Sequence, residues 1–189
     1  MVVMRIVVFL VAFSILLGTI SAAQESAFAQ ETKITAVKSN AQKTVMKISS
    51  TAFANNGKIP KKYTCDGTGV SPPLKISSVP KNTKSLALIL DDPDVPKGTF
   101  THWVIWGISP KKTQIVEGEK KGFVDGATSL GKPGYVGLCP PTGTHRYVFK
   151  LFALDSQIDI SAKSAKQELV STMQNHIIQT ATLVGKYSR

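Results

Sequence analysis

Three stretches of the chain are apolar or nearly so, and each is too short for a typical helix. They are Ser85-Leu86-Ala87-Leu88-Ile89-Leu90, Trp103-Val104-Ile105-Trp106-Gly107-Ile108 and Tyr147-Val148-Phe149-Lys150-Leu151-Phe152-Ala153-Leu154. Their length, with β-branched and aromatic residues in the second, fits strands buried on both faces. Met46 to Phe53 alternates weakly and reads as a first strand, closed by an Asn55-Asn56-Gly57 turn. All ten prolines and most glycines lie between or beside these runs. That is the pattern of a mainly β chain, a β-sandwich or a related barrel. One segment has another period. From Ser164 to Leu183, Ala165, Leu169, Met173, His176, Ile177 and Thr180 recur at three- and four-residue spacings. This predicts a C-terminal helix that lays an apolar stripe on the sheet edge and keeps Lys163, Lys166, Glu168 and Gln174 in solvent. Ser161 or Ser164 serves as its cap, with Gln167 three residues after Ser164, and Gly185 as its terminator. There is no internal repeat.

The N-terminus reads as an address. After Met1 to Arg5, the twelve residues Ile6 to Leu17 carry no charge, and only Ser14 is polar. That run is short for a ~30 Å hydrocarbon core and has the length of a signal-peptide apolar region. Ala27-Phe28-Ala29 supplies a cleavage site, with Ser21-Ala22-Ala23 as the earlier option. The expected organisation is a signal peptide or N-terminal anchor over 1–29, a basic linker over 30–45 and one domain over 46–189. Either N-terminal fate puts the domain outside the cytoplasm: secreted, periplasmic or at the outer cell surface.

Composition narrows the function. A 42% hydrophobic content over 189 residues excludes a mainly disordered chain. Two cysteines exclude a disulfide-dense miniprotein and a four-thiolate zinc site. In an exported protein, Cys65 and Cys139 are a disulfide candidate, with two free thiols as the alternative. The net charge of +11 comes from twenty lysines but only three arginines, in scattered pairs such as Lys61-Lys62, Lys111-Lys112 and Lys120-Lys121. Nucleic-acid readers cluster basic residues with arginine forks or exposed aromatics, whereas both tryptophans here sit inside an apolar run. The charge therefore reads as a solvated lysine surface, or as attraction to anionic lipid or cell wall, and not as a nucleic-acid site.

The chemistry lies in two segments. Asp91-Asp92-Pro93-Asp94-Val95-Pro96 ends a buried strand, and His102 opens the next. Gly131 to Tyr147 is a Gly/Pro-stiffened loop leading into a strand through His145. With the two strand ends side by side, Asp92, Asp94, His102 and His145 converge on a pocket with imidazoles and backbone amides on one side and carboxylates on the other. This suits a small zwitterion or a phosphate monoester carrying an amine. A metal reading of the four residues lacks tight ligand spacing such as H-x-x-x-H. A Cys139 nucleophile lacks oxyanion donors, because two prolines follow it.

At these residues the chain resembles the phosphatidylethanolamine-binding protein family. The resemblance rests on Asp-Pro-Asp-x-Pro before His102-Trp103, and on Gly137-x-x-Pro140-Pro141-x-Gly143-x-His145-Arg146-Tyr147. The short spacer Lys97-Gly98-Thr99-Phe100 is similar to that of the bacterial and archaeal Raf-kinase-inhibitor-like branch. Ile59 to Gly67, Val70 to Leu74 and Leu183 to Arg189 fit as well. The resemblance implies an antiparallel Greek-key β-sandwich with a small anion pocket near one surface. It places Asp92, His102, Pro140, Pro141 and His145 in that pocket, lined or shaped by Asp94, Pro96, Gly137 and Tyr147. Leu138 stands where the family has Pro or Gly, and is expected to narrow the mouth; Gly107 stands where Asn is common. Tyr135 either covers the pocket or packs beneath the loop, and His176 is structural. The implied function is an exported, non-enzymatic protein that holds a small phosphorylated or carboxylated ligand, with no cofactor and no metal. His102 and His145 donate to the anion, loop amides from Gly137 onward assist, and Asp92 orients an imidazole or meets an ammonium. Two other readings stand beside it: a serine protease inhibitor using Lys111-Lys112 or Lys120-Lys121 on a surface loop, and a hydrolase using the pocket histidines. Kinase inhibition does not follow for an exported domain.

Overall fold

The computed structural model describes residues 45–189. The expected signal segment, and all of the expected linker but Val45, lie outside those residues. Nine strands and one helix follow in chain order: β1 Lys47–Ser49, β2 Gly57–Lys58, β3 Leu74–Ser77, β4 Ser85–Asp92, β5 Phe100–Ile108, β6 Gln114–Ile115, β7 Val124–Asp125, β8 Thr144–Leu154, α1 Lys166–Met173 and β9 Ile177–Ser188. A short 3-10 turn covers Lys61–Tyr63.

The strands form a small sheet in the order β1-β3-β6 and a large one in the order β2-β9-β8-β4-β5-β7. In the large sheet β4, β5 and β7 are successive neighbours, and β8 returns to the far side of β4, which is Greek-key order. All pairings are antiparallel except β2 on β9. The inner core lies between the sheets. Ile48, Leu74, Ile76 and Ile115 of the small sheet meet Leu88, Trp103, Ile105, Phe149, Leu151 and Leu183 of the large one. The three apolar runs of the sequence are β4, β5 and β8, and β4 is buried along its whole length. Its second face is covered by α1, whose Leu169 and Met173 pack on Ala87, Ile89, Val104 and Trp106. Both tryptophans are 1% exposed.

The C-terminal helix is much shorter than its periodicity predicts, and it covers the face of the large sheet, not its edge. It spans eight residues. From Ile177 the chain is a twelve-residue strand, paired with β8 from Leu154↔Ile177 to Thr144↔Ser188. The β-branched residues at 177, 178, 180, 182 and 184 favour extended backbone, and Ala181, Leu183, Gly185 and Tyr187 are buried with period two. Neither serine caps the helix: Ala165 holds the N-cap without a side-chain bond, and the Ser164 hydroxyl is buried and unpartnered. Gly185 terminates nothing. It lies inside β9, where a Cβ would run into Ile59 and Phe53. Gly107 sits in β5 at φ 69°, between the Leu86↔Ile108 and Leu88↔Ile105 pairs, where the register slips by one residue. Only Gly, Asn and a few others adopt that conformation readily, so Gly and Asn are interchangeable there.

Candidate functional site

Alternation along β4 sends its two terminal acids in opposite directions. Asp91 faces outward, accepting from Thr101 Oγ1 and Lys166 Nζ, both at 2.8 Å. Asp92 faces inward and is 2% exposed. Its Oδ2 lies 2.7 Å from His145 Nδ1, and its Oδ1 accepts from the Asp94 backbone N–H at 2.9 Å. Both carboxylate oxygens are therefore engaged by protein, which makes Asp92 an orienter of the His145 ring. A carboxylate partner places a proton on His145 Nδ1 and leaves Nε2 for another group.

Asp94 does not join this cluster. It takes a bidentate fork from Arg146 (Nε to Oδ2 2.9 Å, Nη2 to Oδ1 2.6 Å) and the Arg146 backbone N–H at 2.8 Å. The guanidinium hydrogen bonds hold its carboxyl at about 2. Asp94 thus clamps the β4–β5 turn to β8 from outside. Pro96, on the same turn, is exposed.

His102 reaches the interior through a β-bulge. Leu90 pairs with Trp103 and Asp91 with Thr101, so His102 is the extra residue. Regular alternation would send it outward with Val104 and Trp106. The bulge turns it against Tyr147, with ring centroids 5.4 Å apart, and against Phe100 at 4.6 Å. Its Nδ1 lies 3.0 Å from the Val136 carbonyl, which only accepts, so Nδ1 carries the proton and Nε2 is free. Burial holds the His102 pKa below its ordinary value despite the Val136 bond. Tyr147 completes the group: its ring is fully buried, and its hydroxyl makes no hydrogen bond of acceptable geometry. Burial, then the nearby Asp92 charge and the close approach of the hydroxyl to the Asp92 carboxylate, raise its pKa.

The loop over this cluster is fixed at several points. Val136 N–H donates to His102 O at 2.9 Å, and Cys65 N–H to Leu138 O at 3.1 Å. Cys65 and Cys139 form a disulfide with Cα atoms 5.4 Å apart. Gly137 passes so close to the Thr64-Cys65 backbone that a Cβ would sit 3.1 Å from Cys65 N. Pro140 is buried and Pro141 exposed at the rim. Leu138 does not narrow the mouth; its side chain is wholly buried in the inner core. Tyr135 packs beneath the loop, on the edge of Trp103, and donates to Tyr63 O at 2.7 Å.

The sequence motifs thus bring together Asp92, His102, His145 and Tyr147, roofed by Gly137 to Pro141, and leave Asp94 and Pro96 at the perimeter. Among the described residues no three His, Cys, Asp or Glu side chains gather as a metal cluster. Sequence reasoning missed Asp66, which joins the loop to the C-terminus. It accepts from Tyr187 Oη at 2.7 Å and pairs with Arg189 Nε at 3.2 Å. It also missed a cleft of about 620 Å³ lined by Val70, Trp103, Glu119, Lys120, Asp125 and Tyr135, away from the histidines. There the Trp103 indole donates to Asp125 Oδ1 at 2.9 Å, and burial raises the Asp125 pKa. Of the paired lysines, Lys112 is tied to Glu119 at 2.7 Å, while Lys120 and Lys121 are exposed. His176 follows the helix and bonds Asp155 at 2.8 Å.

These features define a class: a sandwich of two unequal sheets, with an imidazole–carboxylate cluster under a disulfide-pinned Gly/Pro loop. Comparison with known proteins makes it specific. The family model for the phosphatidylethanolamine-binding protein matches residues 49–188. A UPF0098 protein of Pyrococcus horikoshii is 46% identical over 158 residues, covering 78% of this chain and 79% of that protein. One from Chlamydia pneumoniae is 44% identical over 149 residues, covering 76% and 99%. Among solved structures, a phosphatidylethanolamine-binding protein homologue of Chlamydia trachomatis superposes with a TM-score of 0.76 at 41% identity, covering 77% of this chain and 99% of that one. YbcL of E. coli, described as a member of the mammalian PEBP family, gives 0.71 at 27% identity, covering 76% and 98%. The chain belongs to the phosphatidylethanolamine-binding protein family, whose fold supports a binding-protein role.

Proposed function

We propose that the protein is an exported, non-catalytic binding protein that holds a small anion of the phosphate or phosphoethanolamine type over Asp92, His102, His145 and Tyr147. The observation that carries this reading is the buried Tyr147 hydroxyl, which lies beside the Asp92 carboxylate without a hydrogen bond of acceptable geometry, next to two imidazoles whose Nδ1 atoms are already engaged. Buried polar groups are rarely left unpaired, so these three neighbouring positions favour a polar occupant. Tyr147 Oη donates to the anion as it stands. The histidine Nε2 atoms donate once protonated, and the anion favours that state. Burial opposes protonation of His102, so binding draws in a proton and strengthens as pH falls through and below the ordinary histidine value of about 6.5. With Asp92 engaged twice by protein, a ligand ammonium is left to meet the rim.

A catalytic reading is weaker, since Cys139 is spent in the disulfide and no other nucleophile bonds either imidazole. Export is supported by the Ile6 to Leu17 run and by a disulfide suited to an oxidising compartment. Calorimetric titration with inorganic phosphate and phosphoethanolamine tests the site. Tyr147→Phe should weaken phosphate binding about 5–10-fold, a neutral hydrogen bond's worth in a buried site, without unfolding the domain. Equal affinity in Tyr147→Phe and in His145→Ala would refute the arrangement.

A further inference from the structure

The half of the large sheet's outer face that α1 leaves uncovered is rich in cations. Register places Lys58 of β2 beside Lys186 of β9, and Lys186 beside Arg146 of β8, a row of three cations across three strands. Lys150 lies four residues along β8 and so shares the face. β2, β8 and β9 contain no Asp or Glu. Arg146 is balanced by Asp94; Lys58, Lys150 and Lys186 have no acidic partner among the described residues. Like charges paired across strands destabilise a sheet, so folding does not account for the row. Between the lysines run the half-buried Val148 and Val184. A hollow of about 180 Å³ flanked by Lys58, Lys186, Thr144 and Ser188 opens beside the row.

We propose that this face docks the domain onto an anionic phospholipid surface. The charge is complementary, and the face spans ~20 Å along β9 and ~10 Å across the three strands, wide enough to meet several headgroups at once. Apolar side chains among lysines suit a bilayer interface, where the chains enter the headgroup layer and the ammonium groups meet phosphates. A nucleic-acid strand would call for arginine forks and exposed aromatic platforms, which the face lacks. Residues 30–44 carry Lys33, Lys38 and Lys43 against Glu31, so charge disfavours that segment as the occupant. The docking is independent of the histidine cluster, whose side chains lie on the inward face of the same sheet.

Co-sedimentation of the full chain with phosphatidylcholine vesicles, with and without phosphatidylglycerol, tests it. The N-terminal apolar run and its flanking charges are the same in every variant, so the quantity read is the change in the ratio of the two affinities from one variant to the next. The anionic vesicles should be preferred, and raised salt should remove the preference. Lys58→Gln with Lys186→Gln should cut the ratio about 25-fold, or about fivefold per lysine. Lys47→Gln with Lys75→Gln makes the same charge change on the outward face of the small sheet and should leave the ratio within about twofold, because that face points away from the bilayer. Equal losses from both pairs would overturn an oriented face. So would no preference for anionic vesicles, or binding to a sulfated polysaccharide without any such preference.

Discussion

β8 and β9 carry two chemistries on opposite faces. Inward, His145, Tyr147, Phe149 and Leu151 alternate with Ala181, Leu183, Gly185 and Tyr187, nearly all of them buried. Outward, Arg146, Lys150 and Lys186 stand in water. Two of the inward polar groups are held at single geometries by near neighbours: Asp92 on His145, Asp66 on Tyr187. The outward lysines have no fixed partner. Inside, a polar group left unmade costs the desolvation of its partner, so geometry is specific and changes are felt in stability. Outside, charge acts through a screened field, so a change alters attraction and hardly touches the fold. Family membership and the site follow from the inward face, and the docking proposal from the outward one.

The sharpest way to break this contrast is at the loop above the cluster. Cys139→Ser opens a covalent link between residues 74 apart and should cost about 4–5 kcal/mol in urea unfolding, on the chain-entropy account. Next, Asp92→Ala strands the buried His145 Nδ1–H and should cost about 3 kcal/mol, while Asp92→Asn should recover part of it. Gly185→Ala touches no polar group; crowding against Ile59 and Phe53 should cost about 2 kcal/mol, which shows how closely β9 seats on the core. A smaller effect comes from His102. Burial lowers its folded pKa, so the unfolded chain takes up its proton first. Its contribution is full above about pH 6.5 and is lost as pH falls toward the lowered value. His102→Gln should flatten that part of the stability–pH curve. At the bottom of the scale, Lys150→Gln should change stability by less than about 0.5 kcal/mol while weakening binding to anionic vesicles. A large stability loss there would erase the contrast.

Much of the interior was legible in the chain because burial on both faces leaves an unmistakable record. β4, β5 and β8 appear as apolar runs, and Asp92 and His145 occupy motifs at their ends. The misreadings have local causes. Ala165, Leu169 and Met173 do keep helical spacing, and Ile177 and Thr180 happen to continue it; the β-branched run they belong to and its pairing with β8 make those two residues strand. The inward turn of His102 depends on a bulge that no pattern of residue types announces. Asp94 looks like Asp92 in sequence, but Arg146 captures it from the far side of β8. Leu138 was expected at an opening because it replaces a turn residue, yet its side chain had a place in the core to fill.

The most direct test follows the imidazole nitrogens of His102 and His145 by NMR while inorganic phosphate is added at several pH values. The account predicts saturable shifts at the Nε2 atoms of both rings, with Nδ1 little changed, at phosphate concentrations that fall as the pH is lowered below about 6.5. Rings that stay still at every phosphate concentration, or that shift identically in Tyr147→Phe, would contradict it.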